Sequence, residues 1–331
     1  MFALSTAYFT LRTPEPDGED IVRGALDLGF RALEIDYRVS DRQMRQMRPV
    51  LLAEGVDLVS VHHPFPRDPD ADPATAHMRG PELTSPDPEE RRAAVRRVCE
   101  TLARAADLGA GVVVLHTGRV KMPPEAPEAD VRRLEELLRQ GRASGAAFRE
   151  LRERLARARR SAAPAHLDPT LSSLDRVANE AERRGVRVGL ENRFHPHEIP
   201  DREELGAIFR ELAGAPLGYW HDTGHAASLV ALGFLRGHTE LVEAFREHLL
   251  GFHLHDADGL DDHKAPGEGS LDFGALVPFV EPGVIRVLEV HPRSSEQALR
   301  RAPQVLAEAG LGPAGTPAPE EVRRAGGEAT G

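Results

Sequence analysis

The sequence predicts a closed (β/α)₈ barrel, an α/β fold, with a helical insertion after the fourth strand. Two observations support this prediction. Eight short, β-rich runs alternate with longer amphipathic helical patterns, and several runs, such as Val112–Leu115, are apolar at every position. Continuous apolar runs are typical of parallel strands that are covered on both faces. An open, doubly wound sheet is the main alternative.

The predicted strands and helices follow one another in a regular order. The strands are Phe2–Tyr8, Ala32–Asp36, Leu58–His62, Val112–His116, Val186–Glu191, Leu217–Asp222, Gly251–His255 and Arg286–Val290. The helices are Asp20–Leu28, Asp41–Glu54, Arg91–Leu108, Leu171–Arg184, Arg202–Leu212 and Glu296–Ala309. Glycine, a common helix C-cap, directly follows the helices that end at Leu28, Glu54, Leu108 and Arg184.

The chain is expected to form one barrel domain over residues 1–311. Its 331 residues suit a single large α/β barrel. Residues 120–167 are rich in Arg, Glu and Ala, and we expect two surface helices there that act as an arm or lid. Residues 312–331 are rich in Gly, Pro, Ala and charge, a composition that predicts a disordered tail.

The composition narrows the class of partner. The formal net charge is -11, which disfavours binding to nucleic acid, because such proteins usually carry a basic footprint. No apolar run is long enough for a membrane span, and the first residues lack the basic region of a signal peptide. We therefore expect a cytoplasmic protein with a small-molecule partner. The sequence is also compatible with a homo-oligomer.

Potential metal ligands lie at the carboxyl ends of the predicted strands. Active sites of (β/α)₈ barrels are built from these ends and the loops that follow. Alone, each residue is weak evidence, because Asp222 could cap a helix and a lone histidine is more often structural. Glu191 and Glu289, however, end apolar runs. An inward carboxylate there needs a cation or strong donors. We therefore predict a divalent-metal site built from Glu191, Asp222, His253 and Glu289.

The loop after the seventh predicted strand carries a further pair of candidate ligands. Asp261 and His263 are two residues apart and precede a Gly-Glu-Gly turn at residues 267–269. This segment is either a solvated acidic loop or a ligand pair that folds over the barrel mouth. By strand parity, we expect His63, His221 and His291 to point away from the site.

Three segments resemble motifs of the xylose isomerase-like TIM-barrel superfamily: Leu190-Glu191-Asn192, Asp222-Thr223-Gly224-His225 and His253-Leu254-His255-Asp256. This superfamily includes sugar isomerases, ketose 3-epimerases and endonuclease IV. Resemblance to the single-metal members implies the four ligands named above. Resemblance to endonuclease IV implies three ions. We therefore expect one to three divalent ions of Mn, Zn, Co or Mg. The nine ligand positions of endonuclease IV fall on His62, His116, Glu191, Asp222, His225, His253, Asp261, His263 and Glu289.

Two enzymatic functions follow from these residues. The first is an isomerase or epimerase of a small sugar, sugar phosphate or polyol, in which Glu191 and Glu289 transfer the proton. In that hypothesis Arg193, His195 and His255 contact the substrate. The second is a multinuclear-metal phosphoesterase like endonuclease IV. An oxidative multi-iron enzyme and a metal-dependent sugar-binding barrel remain open alternatives.

Overall fold

Eight parallel strands close into a barrel in the computed structural model, which describes residues 1–13, 15–68, 70, 72, 80–122 and 128–312. The strands are β1 Ala3–Ser5, β2 Ala32–Ile35, β3 Asp57–His62, β4 Val112–Leu115, β5 Arg187–Glu191, β6 Leu217–Asp222, β7 Leu249–Leu254 and β8 Ile285–Leu288. Each strand pairs with the next in this order, and β1 pairs with β8. This closure confirms the predicted barrel over the open sheet.

The helices surround the barrel. They are α1 Ala7–Thr10, α2 Gly18–Asp27, α3 Asp41–Glu54, α4 Pro88–Leu108, α5 Glu128–Arg139, α6 Ala146–Ala162, α7 Pro164–Arg184, α8 Arg202–Glu211, α9 Thr223–Ala231, α10 Glu240–Ala244 and α11 Glu296–Glu308. The glycines after α3, α4 and α7 are left-handed C-caps, as the sequence predicts. The predicted helix over Leu171–Arg184 begins earlier, because Pro164 is accommodated in the first turn of α7.

The insertion after β4 forms two helices, α5 and α6, which we call the arm. Leu134 of α5 and Leu155 of α6 share one small apolar cluster with Leu232 at the end of α9. Leu260, in the loop after β7, packs against the same cluster. The arm therefore has its own apolar contacts with the end of α9 and with the loop after β7.

Two expectations from the sequence concern the tail and the number of domains. Apart from residue 312, the tail predicted to be disordered lies outside the described residues. The expectation of a single domain over residues 1–311 stays a prediction.

Trp220 fills the middle of the barrel. Its fully buried ring packs with Ala3, Ala32, Val112, Val114 and Val287. Gly189 and Gly251 make room for the ring, since a Cβ at these positions would lie 3.1 and 2.5 Å from Trp220 atoms. The Trp220 and His253 rings meet in an edge-to-face contact, with ring centroids 5.3 Å apart. The polar residues of the barrel mouth thus lie next to a packed apolar layer.

None of the helices in the described part of the chain combines the length and the apolarity that crossing a membrane requires.

Candidate metal centre

The carboxyl ends of β5 to β8 bring the four core ligands of the sequence prediction together. Glu191, Asp222, His253 and Glu289 each offer a ligand atom, these atoms lie within 4.8 Å of one another, and all four residues are buried. His253 Nδ1 lies 3.1 Å from Glu191 Oε1 and 3.0 Å from Glu289 Oε2. Asp222 Oδ2 lies 3.7 Å from the same nitrogen. We call these four residues the central group.

The electrostatics of the central group favour a positive charge at its middle. Burial raises the pKa of Glu191, but His116 and His253 outweigh burial and hold this pKa well below its ordinary value. Burial lowers the pKa of His253, yet the carboxylates of Glu289, Glu34 and Glu191 raise it well above the usual range. A divalent cation could take the place of the proton on His253 Nδ1, since metal ligands must be deprotonated.

A second set of ligands, the histidine group, lies beside the first and shares Glu191. It consists of His62, His116 and Glu191. Glu191 Oε2 lies 2.7 Å from His116 Nε2 and 3.3 Å from His62 Nε2, whereas Oε1 faces His253. The two oxygens of one buried carboxylate therefore face two different groups, as in a carboxylate that bridges two ions.

A third set, the ribbon group, contains His225, Asp262 and His263. Asp262 and His263 belong to an antiparallel ribbon, Asp256–Asp258 with Asp261–Lys264, that follows β7. His263 also forms a candidate set with Asp222, His255 and Glu289. The ribbon group therefore adjoins the central group through Asp222 and Glu289.

The structure does not bring Asp261 into the ribbon group. Its side chain is 49% exposed and lies 2.9 Å from Lys264 Nζ and 2.5 Å from Arg293 Nη1. Asp262 faces His263 instead, with Oδ2 3.0 Å from Nδ1. His263 has a φ of +54°, in the left-handed region. A break in regular strand geometry of this kind allows two successive side chains to face the same site, which an alternating pattern does not anticipate.

Hydrogen bonds fix which nitrogen of three histidines faces the ligand groups. His62 Nδ1 lies 2.8 Å from the His63 carbonyl and His225 Nδ1 lies 3.0 Å from the Asn192 carbonyl, so each Nδ1 donates and leaves Nε2 to bind a metal. His253 is reversed: Nε2 donates to Glu34, 3.0 Å away, and Nδ1 faces the central group. Such outer hydrogen bonds are typical of histidines that bind metals. The buried nitrogen and oxygen donors fit a divalent ion such as zinc or manganese.

Glu34 is a site residue that the sequence prediction missed. It lies in β2, is fully buried, and receives hydrogen bonds from His253 Nε2 and from Ser60 Oγ at 2.7 Å. Glu34 orients the His253 ring from the side opposite the central group. The signal was present in the sequence as a single charged residue within the apolar run of β2.

The sequence suggested His255 as a substrate contact, but in the structure it lies behind Asp222 and does not line the pocket described below. His255 is fully buried, and its Nε2 donates to Asp222 at 2.9 Å. Its Nδ1 accepts the His263 backbone N–H at 2.8 Å. Both ring nitrogens are therefore engaged. Gly224 permits this approach, because a Cβ there would lie 2.2 Å from the His255 ring.

A pocket of about 620 Å³ lies over the three groups. Arg193 and His195, the other predicted substrate contacts, both line it. Arg193 Nη2 lies 2.7 Å from Glu198, and His195 Nδ1 lies 3.1 Å from Glu135 of the arm. Burial raises the pKa of Glu198, but the Arg193 charge outweighs burial and holds this pKa well below its ordinary value. The arm therefore forms part of the pocket wall.

Two of the three histidines expected to point away also line the pocket. They are His63 and His291, and the His291 ring stacks on His263 at 3.9 Å between centroids. Both residues lie beyond the ends of their strands, so strand parity does not apply to them. His221, which lies within β6, is directed elsewhere and contacts the Tyr219 hydroxyl at 2.7 Å.

Comparison with known proteins agrees with the barrel fold. The profile of the xylose isomerase-like TIM barrel family matches residues 22–309. This chain belongs to that family. The match includes every strand of the barrel except β1, and it therefore includes all the strands that carry the candidate ligands.

Several solved structures share the fold over most of both chains. A D-tagatose 3-epimerase-like protein is 20% identical, with 93% of this chain and 96% of that chain covered and a TM-score of 0.63. The 3-keto-D-glucoside 4-epimerase YcjR from E. coli is 16% identical, with 93% and 98% covered and a TM-score of 0.62. The TTHB071 protein from Thermus thermophilus, soaked with ZnCl2, is 26% identical, with 93% and 97% covered and a TM-score of 0.53.

Among curated proteins, the uncharacterized protein MJ1311 from Methanocaldococcus jannaschii is 29% identical over 141 residues. The alignment includes 40% of this chain and 46% of MJ1311, so the chain spans about half the length of this relative.

Proposed function

We propose that this protein is a metal-dependent isomerase or epimerase of a small carbohydrate-like molecule. One observation carries the proposal. The carboxylates of Glu191 and Glu289 lie 3.1 and 3.0 Å from the same His253 nitrogen, and both residues line the pocket. Two carboxylates next to one cation site can act as a general base and a general acid on a carbon beside a carbonyl.

The central group would hold the divalent ion through Glu191, Asp222, His253 and Glu289. When bound, such an ion supplies Lewis-acid polarisation of a substrate carbonyl. One of the two glutamates accepts the proton from the carbon next to that carbonyl, and the electron pair moves towards the carbonyl oxygen. In an epimerase the other glutamate returns a proton to the same carbon and the carbonyl re-forms. In an isomerase it returns the proton to the former carbonyl carbon, while the proton of the neighbouring hydroxyl passes to the former carbonyl oxygen and that hydroxyl oxygen becomes the new carbonyl oxygen.

Pocket size and family membership support a small substrate. A volume of about 620 Å³ falls in the usual range for small-molecule sites. Solved proteins with the same fold include sugar epimerases, such as the 3-keto-D-glucoside 4-epimerase described above. Fold alone does not assign a reaction, so the argument depends on the two carboxylates.

Hydrogen exchange tests this proposal without knowledge of the natural substrate. The protein, loaded with zinc or manganese, is incubated with a panel of ketoses and ketose phosphates in deuterated water. The proposal predicts deuterium incorporation next to the carbonyl of at least one sugar. It also predicts that Glu289→Gln reduces the exchange rate by roughly 100-fold or more, as expected for loss of a general acid–base group.

Glu54→Gln serves as the matched control, because Glu54 is exposed at the end of α3. Its exchange rate should equal that of the wild type. Exchange that proceeds equally well in Glu289→Gln would contradict the assigned role of Glu289.

A second candidate function is a multinuclear-metal phosphoesterase. It is favoured by the orientation of the Glu191 carboxylate. Its Oε2 faces His62 and His116, while its Oε1 faces His253. The ribbon group supplies further ligands next to the central group. Clusters of this kind activate water and stabilise a leaving oxygen.

Metal stoichiometry and a hydrolysis assay separate the two candidates. A single tightly bound ion together with sugar exchange supports the isomerase. Two or three ions, together with release of nitrophenol from a nitrophenyl phosphate ester and no sugar exchange, would replace the isomerase with the phosphoesterase.

A further inference from the structure

Charged side chains of both signs line the pocket. Six carboxylates line it: Glu82, Glu135, Glu191, Glu198, Asp262 and Glu289. Five guanidinium groups line it as well, from the segments after β2, β4 and β5, from α4 and from the arm: Arg38, Arg97, Arg119, Arg132 and Arg193. We call these five residues the arginine side.

Two members of the arginine side are not neutralised. Arg38 pairs with Asp36 at 2.8 Å, and Arg119 has its Nε 2.7 Å from Glu82. Arg97 and Arg132 have no ion pair or side-chain hydrogen bond among the described residues. Arg97 is half-buried on α4, so its charge is partly removed from bulk water and would gain from an anion in the pocket, whereas Arg132 is exposed on the arm.

Arg193 provides an independent observation that points to a ligand. Its side chain is only 10% exposed, and one guanidinium nitrogen donates to Glu198. The other two, Nε and Nη1, are buried and have no hydrogen-bond partner among the described residues. Buried donors on a charged group are costly when they are unpaired, and the large majority of such donors in folded proteins have an acceptor. A ligand in the pocket would supply the acceptors that Arg193 lacks.

We propose that the arginine side binds a phosphate monoester group of the substrate, through Arg97, Arg132 and Arg193. Guanidinium groups suit this role, since their planar forks match phosphate oxygens and remain charged at any physiological pH. A phosphate offers three acceptor oxygens, more than a carboxylate offers, to the several donors around this pocket. The proposal rests on the proposed function, in which the carbonyl end of the substrate adjoins the central group. It assigns the phosphate to the other end of that substrate.

Calorimetric titration with inorganic phosphate at low ionic strength tests this assignment. The probe is added to the metal-loaded protein and, separately, to protein dialysed against a chelator. We expect saturable binding at one site per chain, and binding that weakens on the order of ten-fold in Arg97→Met. Arg132→Met should give a smaller loss, of about two- to three-fold, because Arg132 is exposed and its charge is screened by water. Neither substitution removes an ion pair, so both variants should retain the wild-type melting temperature.

Arg187→Met is the matched control, because Arg187 is exposed at the opposite end of the barrel, where β5 begins. It should bind phosphate as tightly as the wild type. The same titration with glycerol 1-phosphate and with glycerate separates a phosphate monoester from a carboxylate, and we expect the phosphate ester to bind more tightly.

Three results would overturn the assignment: equal phosphate affinity in the wild type and both arginine variants, complete loss of binding on chelation, or tighter binding of glycerate. Phosphate binding needs no turnover. Arginine-dependent binding without sugar exchange would therefore remove the proposed reaction and leave this inference standing. Exchange of neutral sugars without phosphate binding would remove this inference and leave the proposed reaction standing.

Discussion

The central group and the ribbon group are held by different kinds of backbone. The central ligands lie in or next to regular barrel strands, and Glu34 and His255 support them from behind. The ribbon ligands Asp262 and His263 lie in a short hairpin in which His263 is left-handed. Strand register therefore places the first group, whereas the second depends on an irregular hairpin for Asp262 and His263 and on α9 for His225. Substitutions should therefore affect metal binding at the two groups differently.

The largest effect is expected from Glu191→Gln, because Glu191 belongs to both the central group and the histidine group. The amide keeps the size of the side chain but removes the charge shared by two candidate ion sites. We expect loss of metal from both groups and a fall in sugar exchange of at least about 100-fold. Metal analysis by mass spectrometry and the exchange assay measure these changes. Wild-type metal content in this variant would show that Glu191 binds no ion.

A smaller effect is expected from Glu34→Gln, because Glu34 is not a candidate ligand and only orients His253 of the central group. The change weakens the hydrogen bond that fixes the His253 ring, so we predict a loss of metal affinity of about 10- to 100-fold. Competition with a fluorescent chelator measures the affinity. Occupancy of the ribbon group should not change. An equal loss at both groups would indicate a general disturbance of the barrel mouth.

The same contrast explains what could be predicted from the sequence. The apolar runs located the strands, and residues at their carboxyl ends necessarily converge, so Glu191, Asp222, His253 and Glu289 were identifiable. Glu34 was missed because it lies within a strand rather than at its end.

The ribbon could not be predicted in the same way. The choice between Asp261 and Asp262 depends on the left-handed φ of His263, a conformation that is uncommon outside glycine and that no local pattern signalled. The partners of Arg193 and His195 depend on the arm and on the loop after β5, whose packing is set by contacts between residues far apart in the chain.

A paired substitution in the ribbon sharpens the comparison. Asp262→Asn should weaken metal binding at the ribbon group by about ten-fold, since a charged oxygen next to His263 is lost. Asp261→Asn changes an exposed carboxylate that pairs with Lys264 and Arg293, so metal binding should be unchanged. Titration with zinc, followed by calorimetry, distinguishes the two. A larger effect of Asp261→Asn would restore the ligand that the sequence suggested.

The smallest effect is expected from Ser60→Ala. This change removes one hydrogen bond to Glu34, at 2.7 Å, and leaves the bond between Glu34 and His253 in place. A net loss of roughly 1 kcal/mol corresponds to a several-fold decrease in metal affinity. The chelator competition used for Glu34→Gln measures it. An effect as large as that of Glu34→Gln would mean that Ser60, rather than Glu34 itself, controls the orientation of His253.

The number of ions bound per chain, in the wild type and in His253→Gln, tests the central claim most directly. Both proteins are loaded with zinc or manganese, dialysed exhaustively and analysed by mass spectrometry, with circular dichroism to verify the fold. We predict at least one retained ion in the wild type and the loss of that ion in His253→Gln, because His253 Nδ1 lies at the middle of the central group. A wild-type protein that retains no ion, or a folded His253→Gln variant that retains the full complement, would contradict the assignment of this group as a metal centre.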